Sequence, residues 1–217
     1  MVKVKICGIT NQEDARASVL AGADLLGFNF FRPSPRLIEP SSAREIIDGI
    51  RSETPDLSQS VKMVGVFVNE SSPQAVLDTV RVAGLDAVQL HGDETPEFCA
   101  KLKRLWQPGF IIKVLRVDKQ FEPASASQYN TEAIMLDAFH SSLRGGTGQT
   151  IDWKKARSAS EIVPRLFLAG GLSPENVAEA IREVQPFAVD ACSSLETAPG
   201  VKNIARVQAF VRAVRNS

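Results

Sequence analysis

The sequence predicts an α/β fold, a single (β/α)8 TIM barrel that takes in residues 1–217 as one domain. Eight short apolar or alternating runs recur along the chain, and segments with helix start and stop signals fall between them. Interleaved strand and helix signals imply parallel strands joined by crossover helices. The competing open doubly wound sheet lacks its mark, because no Gly-x-Gly-x-x-Gly follows any run, whereas eight units close a barrel without remainder.

The first run alternates Val2, Val4 and Ile6 with Lys3, Lys5 and Cys7, the period of a strand with two unlike faces. Gly8 breaks it. Asn11 with Asp14 reads as a helix cap with an acidic first turn, and an amphipathic helix runs from Asp14 to Ala21 and stops at Gly22. Leu25 to Phe31 is the second strand. Ser42 with Glu45 reads as a capping box ahead of Ile46, Ile47 and Ile50, and Arg51 to Ser60 as a polar surface connection. Val61–Val68 and Ala87–Leu90 follow as strands, with a helix between them that opens at Ser72-Pro73 and closes at Gly84. Thr95-Pro96 opens the next helix, ahead of the strand Phe110–Leu115. The fifth unit is the weakest, since Glu122 to Tyr129 offers only a short polar helix. Ala133–Leu136, Leu166–Ala169 and Phe187–Val189 complete the strands, with a helix expected from Ser173-Pro174. Ile204, Val207, Phe210, Val211 and Val214 mark the final amphipathic helix.

Composition narrows the function classes. Lysine and arginine number 25 against 25 aspartate and glutamate, so nothing favours nucleic acid as a partner. No apolar run is long enough to span a membrane and no secretory signal opens the chain, so no membrane partner is expected. Three widely spaced cysteines fit a reducing compartment, the cytoplasm. Two histidines and no Cys-x-x-Cys pair make a dedicated transition-metal site unexpected. No obligate protein partner is evident.

In a barrel, chemistry collects where strands run into the following helices. Those places hold Cys7-Gly8, Ser34-Pro35-Arg36, Val68-Asn69, Gln89-Leu90-His91, Asp137 with Arg144 to Gly148, Gly170-Gly171, and Asp190-Ala191-Cys192-Ser193-Ser194. Taken alone, a cysteine such as Cys7 reads more readily as a buried packing residue. Gly170-Gly171 before a helix, with Ser193 and Ser194 at the neighbouring strand end, suits a phosphoryl group held by backbone N–H donors. Arg36, between prolines that restrict the backbone, suits a carboxylate. Asp137 ends an apolar strand, a place for a helix cap, an ion pair or an acid. His91 and Gln89 share one face by period two and can both point into the barrel mouth.

Together these segments resemble the phosphoribosylanthranilate isomerase family. Lys5-Ile6-Cys7-Gly8-Ile9-Thr10, Ser34-Pro35-Arg36, Gly65-Val66-Phe67-Val68-Asn69, Gln89-Leu90-His91-Gly92-Asp93, Leu136-Asp137 with Gly145-Gly146-Thr147-Gly148, and Ala169-Gly170-Gly171-Leu172 occur in the family's order over essentially the whole chain. The resemblance implies a (β/α)8 barrel that converts N-(5-phosphoribosyl)anthranilate, a small phosphosugar-anthranilate substrate, to the 1-deoxyribulose phosphate isomer without a cofactor. It implies Cys7 as general base and Asp137 as general acid. It places Arg36 on the anthranilate carboxylate and the loops after strands seven and eight, with Gly170, Gly171, Cys192 and Ser193, on the phosphate; Gln89, His91 and Gly146 are further candidates for contact with the substrate. One motif departs from the family pattern: Asp190-Ala191-Cys192-Ser193-Ser194-Leu195-Glu196 stands where Asp-Val-Ser-Ser-Gly-Val-Glu is usual. Ser194 at the glycine position would strain a positive φ.

Period two also puts Lys5 on the face of Cys7, and closure would bring the strand ending in Asp190 beside it. A Lys5–Asp190 pair with positive charge near Cys7 is therefore expected, and Cys99, inside a helix, is expected to pack inertly. Three other readings compete. An imine-forming aldolase would use Lys113 in the fifth strand, and a metal-dependent epimerase would need more histidines. A non-catalytic phosphosugar-binding subunit is the third possibility, against which the acid and base at separate strand ends argue.

Overall fold

The computed structural model describes residues 1–138 and 152–217. Its centre is a closed barrel of eight parallel strands in chain order. These are β1 (Lys3–Cys7), β2 (Leu25–Asn29), β3 (Lys62–Phe67), β4 (Ala87–Leu90), β5 (Phe110–Val117), β6 (Ala133–Ala138), β7 (Leu166–Leu168) and β8 (Ala188–Ala191). Closure is made by β8 against β1, with Lys5 level with Asp190 and Ile6 with Ala191.

Helices α1 (Gln12–Ala21), α2 (Pro40–Glu53), α3 (Pro55–Ser58), α4 (Pro73–Ala83), α5 (Pro96–Leu105), α6 (Trp153–Ser160), α7 (Val177–Val184) and α8 (Ile204–Arg215) connect or follow the strands. Local chemistry sets most of their ends. Asn11, Ser72 and Thr95 each accept from the backbone N–H three residues on. Gly22 and Gly84 end α1 and α4 in the left-handed conformation.

Four expectations about elements change. Helix α2 begins at Pro40, not at Ser42, because proline supplies the first-turn φ and Glu39 serves as the cap without a side-chain bond. Arg51 to Glu53 continue α2, and Pro55 then starts α3, so that stretch is largely helical. The fifth crossover carries a 3₁₀ turn at Pro123–Gln128. Helix α7 begins only at Val177. Side chains take up the preceding backbone groups: Asn176 Oδ1 accepts from Ser173 N at 2.9 Å and Ser173 Oγ from Glu175 N at 3.3 Å.

A hairpin follows β8 that the sequence did not suggest. It consists of β9 (Glu196–Ala198) and β10 (Val201–Lys202), turned at Gly200 with φ +82°. Pro199-Gly200 is a recognisable turn signal.

The apolar side chains form two layers. A large cluster, with Ile6, Phe28, Phe67 and Phe210 fully or nearly buried, packs the outer wall of the barrel against the helices. A second cluster, including Val64, Ala87, Met135, Phe167 and Ala188, fills the interior. Two residues further along their strands, on the same face by alternation, stand Val66, Gln89, Asp137 and Asp190, and these line the mouth. The packed interior is thus the floor of the site. Among the described residues no helix is long and apolar enough to cross a membrane.

Candidate active site

The mouth encloses about 820 Å³, within the range of small-molecule sites. Cys7, Arg36, Gln89, His91, Asp137, Gly170, Gly171, Asp190, Cys192 and Ser193 all line it. Gly146 lies outside the described residues.

On the side of β1 and β8, Lys5 is fully buried and its Nζ lies 2.9 Å from Asp190 Oδ1, the pair that strand register implies. Burial opposes the Lys5 ammonium, but Asp190 and Cys7 outweigh it and hold the group above its ordinary range. Burial likewise pushes the Asp190 carboxyl up to about 6, against the pull of Lys5. Lys5 and Cys7 have room because β2 passes them at Gly27, where a Cβ would lie 2.8 Å from Cys7 Sγ and 3.1 Å from Lys5 Nζ.

Cys7 is held well below the usual thiol range, first by a hydrogen bond from Cys192 and then, against burial, by the charge of Lys5. Cys192 is pushed well up by the same contact and by burial. The sequence had pointed to Lys5 as the main support of Cys7; the neighbouring thiol is the larger influence. Cys99 is fully buried away from the mouth, and burial pushes it up to about 11.

Across the mouth, Gln89 Nε2 lies 3.0 Å from His91 Nδ1, and His91 Nε2 lies 3.1 Å from Asp137 Oδ2. With the amide donating, the ring proton stands on Nε2 and points at the carboxyl. This chain orients Asp137 from two strand ends, β4 and β6.

Arg36 holds a carboxylate of the protein itself. Its Nε lies 2.9 and 3.1 Å from the two oxygens of Glu196, and its Nη2 lies 2.5 Å from Oε2. Lys202 Nζ reaches Glu196 Oε1 at 2.8 Å. Burial disfavours the Glu196 carboxylate, but the Arg36 hydrogen bonds and the charge of Lys202 keep it below its usual range. Two cations on one carboxylate leave this edge of the mouth with one net positive charge, which suits an anionic ligand. Sequence reading passed over Glu196 and Lys202. Glu196 stood in the quoted motif, but its partner Arg36 lies 160 positions away and nothing local marks the pair.

At the ends of β7 and β8, Gly170 and Gly171 adopt φ values of +84° and +72°. Among the described residues their N–H groups meet no acceptor, so they are available to an anion. Ser194 sits in the 3₁₀ turn Ser193–Leu195 and needs no positive φ, contrary to the expected strain; its hydroxyl bonds to Leu172 O instead. Arg206 also stands at this edge, held by Ser194 O at 2.6 Å and paired with Glu175 Oε2 at 3.0 Å.

Lys113 points away from the mouth. Its Nζ lies 2.7 Å from both Glu94 Oε2 and Gly92 O, buried between the barrel wall and the loop after β4. The aldolase reading loses its lysine for that reason. Among the described residues no group of three or more metal-binding side chains occurs.

A family model described as N-(5'phosphoribosyl)anthranilate (PRA) isomerase matches residues 4–213. The chain is 45% identical over 212 residues to an N-(5'-phosphoribosyl)anthranilate isomerase of Trichlorobacter lovleyi, covering 98% of this chain and 97% of the relative. It is 46% identical over 212 residues to that of Geobacter sulfurreducens, covering 98% of each. The crystal structure of the phosphoribosyl anthranilate isomerase from Thermotoga maritima superposes with a TM-score of 0.88 at 40% identity over all of both chains. Another phosphoribosyl anthranilate isomerase, solved with reduced 1-(o-carboxyphenylamino)-1-deoxyribulose 5-phosphate, gives a TM-score of 0.84 at 40% identity, again over all of both chains. With similarity that runs through the whole barrel, the chain belongs to the N-(5'-phosphoribosyl)anthranilate isomerase family.

Proposed function

We propose that the protein isomerises N-(5'-phosphoribosyl)anthranilate to 1-(2-carboxyphenylamino)-1-deoxyribulose 5-phosphate, a step in tryptophan biosynthesis, by general acid–base catalysis within one barrel domain. The observation that carries this reading is that a thiol held below its usual range and a carboxyl oriented by histidine face one cavity from non-adjacent strands. An acid and a base can therefore flank one sugar.

In this mechanism Asp137 gives a proton to the furanose ring oxygen as the bond from that oxygen to C1 breaks, which leaves an iminium between C1 and the anthranilate nitrogen. The Cys7 thiolate removes the proton from C2, and the electron pair of that C–H bond moves to form the C1–C2 double bond of an enolamine. Tautomerisation then places a carbonyl at C2 and a second hydrogen on C1. Arg36 and Lys202 supply positive charge for the substrate carboxylate, and Gly170, Gly171 and Ser193 supply donors for the phosphate. Lys5 supports the charge on Cys7, and Asp190 keeps Lys5 protonated. Three free cysteines suit a reducing compartment such as the cytoplasm.

The test is conversion of N-(5'-phosphoribosyl)anthranilate by the purified chain, with growth of a tryptophan auxotroph that lacks this isomerase. Cys7→Ala and Asp137→Asn should each lower kcat by about 10²–10⁴, the usual worth of a positioned acid or base. A chain inactive on this substrate, or variants that turn over normally, would contradict the assignment.

A further inference from the structure

Cys192 is no acid or base of the reaction, yet its sulfur lies against the residue after Cys7: a Cβ on Gly8 would fall 2.9 Å from Cys192 Sγ. The two cysteines directly follow Ile6 and Ala191, which stand level on the paired strands β1 and β8. Paired strands run about 4.8 Å apart, inside the roughly 4.4–6.8 Å Cα separation that a disulfide spans. Both residues line the cavity that a small solute would enter.

We propose that Cys7 and Cys192 form an oxidation site, at which a hydroperoxide closes an intramolecular disulfide across the mouth of the barrel. The bond would abolish the thiolate of Cys7 while it lasts. Its formation does not depend on which reaction the mouth carries out.

The steps balance with the hydroperoxide as oxidant. The Cys7 thiolate attacks one peroxide oxygen, a sulfur–oxygen bond forms, and the O–O bond breaks to release an alkoxide or hydroxide. That leaving group takes the proton of the Cys192 thiol. The Cys192 thiolate then attacks the Cys7 sulfenic sulfur, the S–S bond forms, and hydroxide departs to be protonated by solvent. Two electrons pass from the two sulfurs to the peroxide, and a dithiol reverses the change by exchange.

The neighbourhood favours this course. Lys5 lies beside Cys7 and Lys202 Nζ lies 4.0 Å from Cys192 Sγ, so either sulfur has a cation at hand when it ionises. Closure of β8 on β1 stands the resolving thiol beside Cys7 on the neighbouring strand. Cys99, buried and outside the mouth, takes no part.

The test uses the full reduced chain treated with hydrogen peroxide, blocked with N-ethylmaleimide and digested with trypsin. Cleavage puts Cys7 in peptide 6–16, Cys192 in peptide 183–202 and Cys99 in a third. The expected product is a link between the first two, with thiols titrated in denaturant falling from three to one, and both thiols returning with dithiothreitol. Cys192 recovered as a free thiol, or joined to anything but Cys7, would overturn the proposal. In Cys192→Ser the Cys7 sulfenic acid has no resolving thiol, so peroxide should carry Cys7 on to the sulfinic acid, which dithiothreitol does not restore. Recovery of the Cys7 thiol in that variant as complete as in the parent would also overturn it.

Discussion

Cys7 shows how far one residue depends on its neighbours for its chemistry. A free thiol ionises near pH 8.5, whereas this one is held below that by Cys192 and Lys5. A depressed thiol is already ionised as the pH falls through about 8.5, so kcat/KM should stay level there and decline only at more acid pH. Lys5→Met removes the buried positive charge, which raises the thiol again and moves that acid limb to higher pH. The pH dependence of both kcat/KM and alkylation by iodoacetamide reads the shift, and an unmoved profile would count against Lys5 as electrostatic support. Arg36→Ala should raise KM by about tenfold to a hundredfold, the equivalent of the 1.5–3 kcal/mol of a hydrogen bond to a charged group, with a smaller change in kcat. The substrate carboxylate takes no part in the bond changes at C1 and C2, so it should be bound alike in ground and transition states. A collapse of kcat at constant KM would argue that Arg36 acts in the chemistry. Lys5 and Asp190 were legible in the sequence because strand alternation and closure of the barrel settle where they point. Glu196 and Lys202 were not, because Arg36 lies 160 positions from Glu196 and no periodicity marks the hairpin that brings Lys202 back to it.

Elements place these residues through contacts that local sequence does not announce. The hairpin of β9 and β10 exists because Gly200 takes a left-handed turn, and it delivers Glu196 and Lys202 to the rim beside Arg36. The loop after β4 is tied down in another way. Glu94 accepts from Asn69 N at 2.9 Å and from Gly92 N at 3.0 and 3.2 Å, and it pairs with the buried Lys113. That clamp adjoins His91, so Lys113 positions the loop and is not an imine-forming nucleophile. Lys113→Met should destabilise the fold by about 3–5 kcal/mol, because it leaves Glu94 buried and uncompensated; urea unfolding measures it. Borohydride trapping with substrate should yield no adduct at Lys113, and an adduct there would restore the aldolase reading. Helix α7 carries the same lesson in reverse. Ser173-Pro174 looks like a helix start, but side-chain bonds from Ser173 and Asn176 hold a turn there, and the helix waits until Val177.

At the scale of the molecule, the barrel's closure is what creates the site. Hydrogen bonding of β8 to β1 joins residues from the two ends of the chain, bringing Lys5 to Asp190 across 185 positions. If the barrel is one domain, as proposed, loss of the closing pair should open it everywhere at once. Far-UV and near-UV circular dichroism should then report one coincident urea transition; separated midpoints would reveal independently folding parts. The sequence by itself determined the barrel class, the eight strands, the face that Cys7 shares with Lys5 and the strand end that holds Asp137, since period two and the helix-end residues are local properties of the backbone. Only the tertiary structure decided that Arg36 grips Glu196, that Lys113 faces outward, and that Cys192 supports Cys7. Those are pairings between residues far apart in the chain, and their energies come from burial and charge that exist only once the barrel has closed.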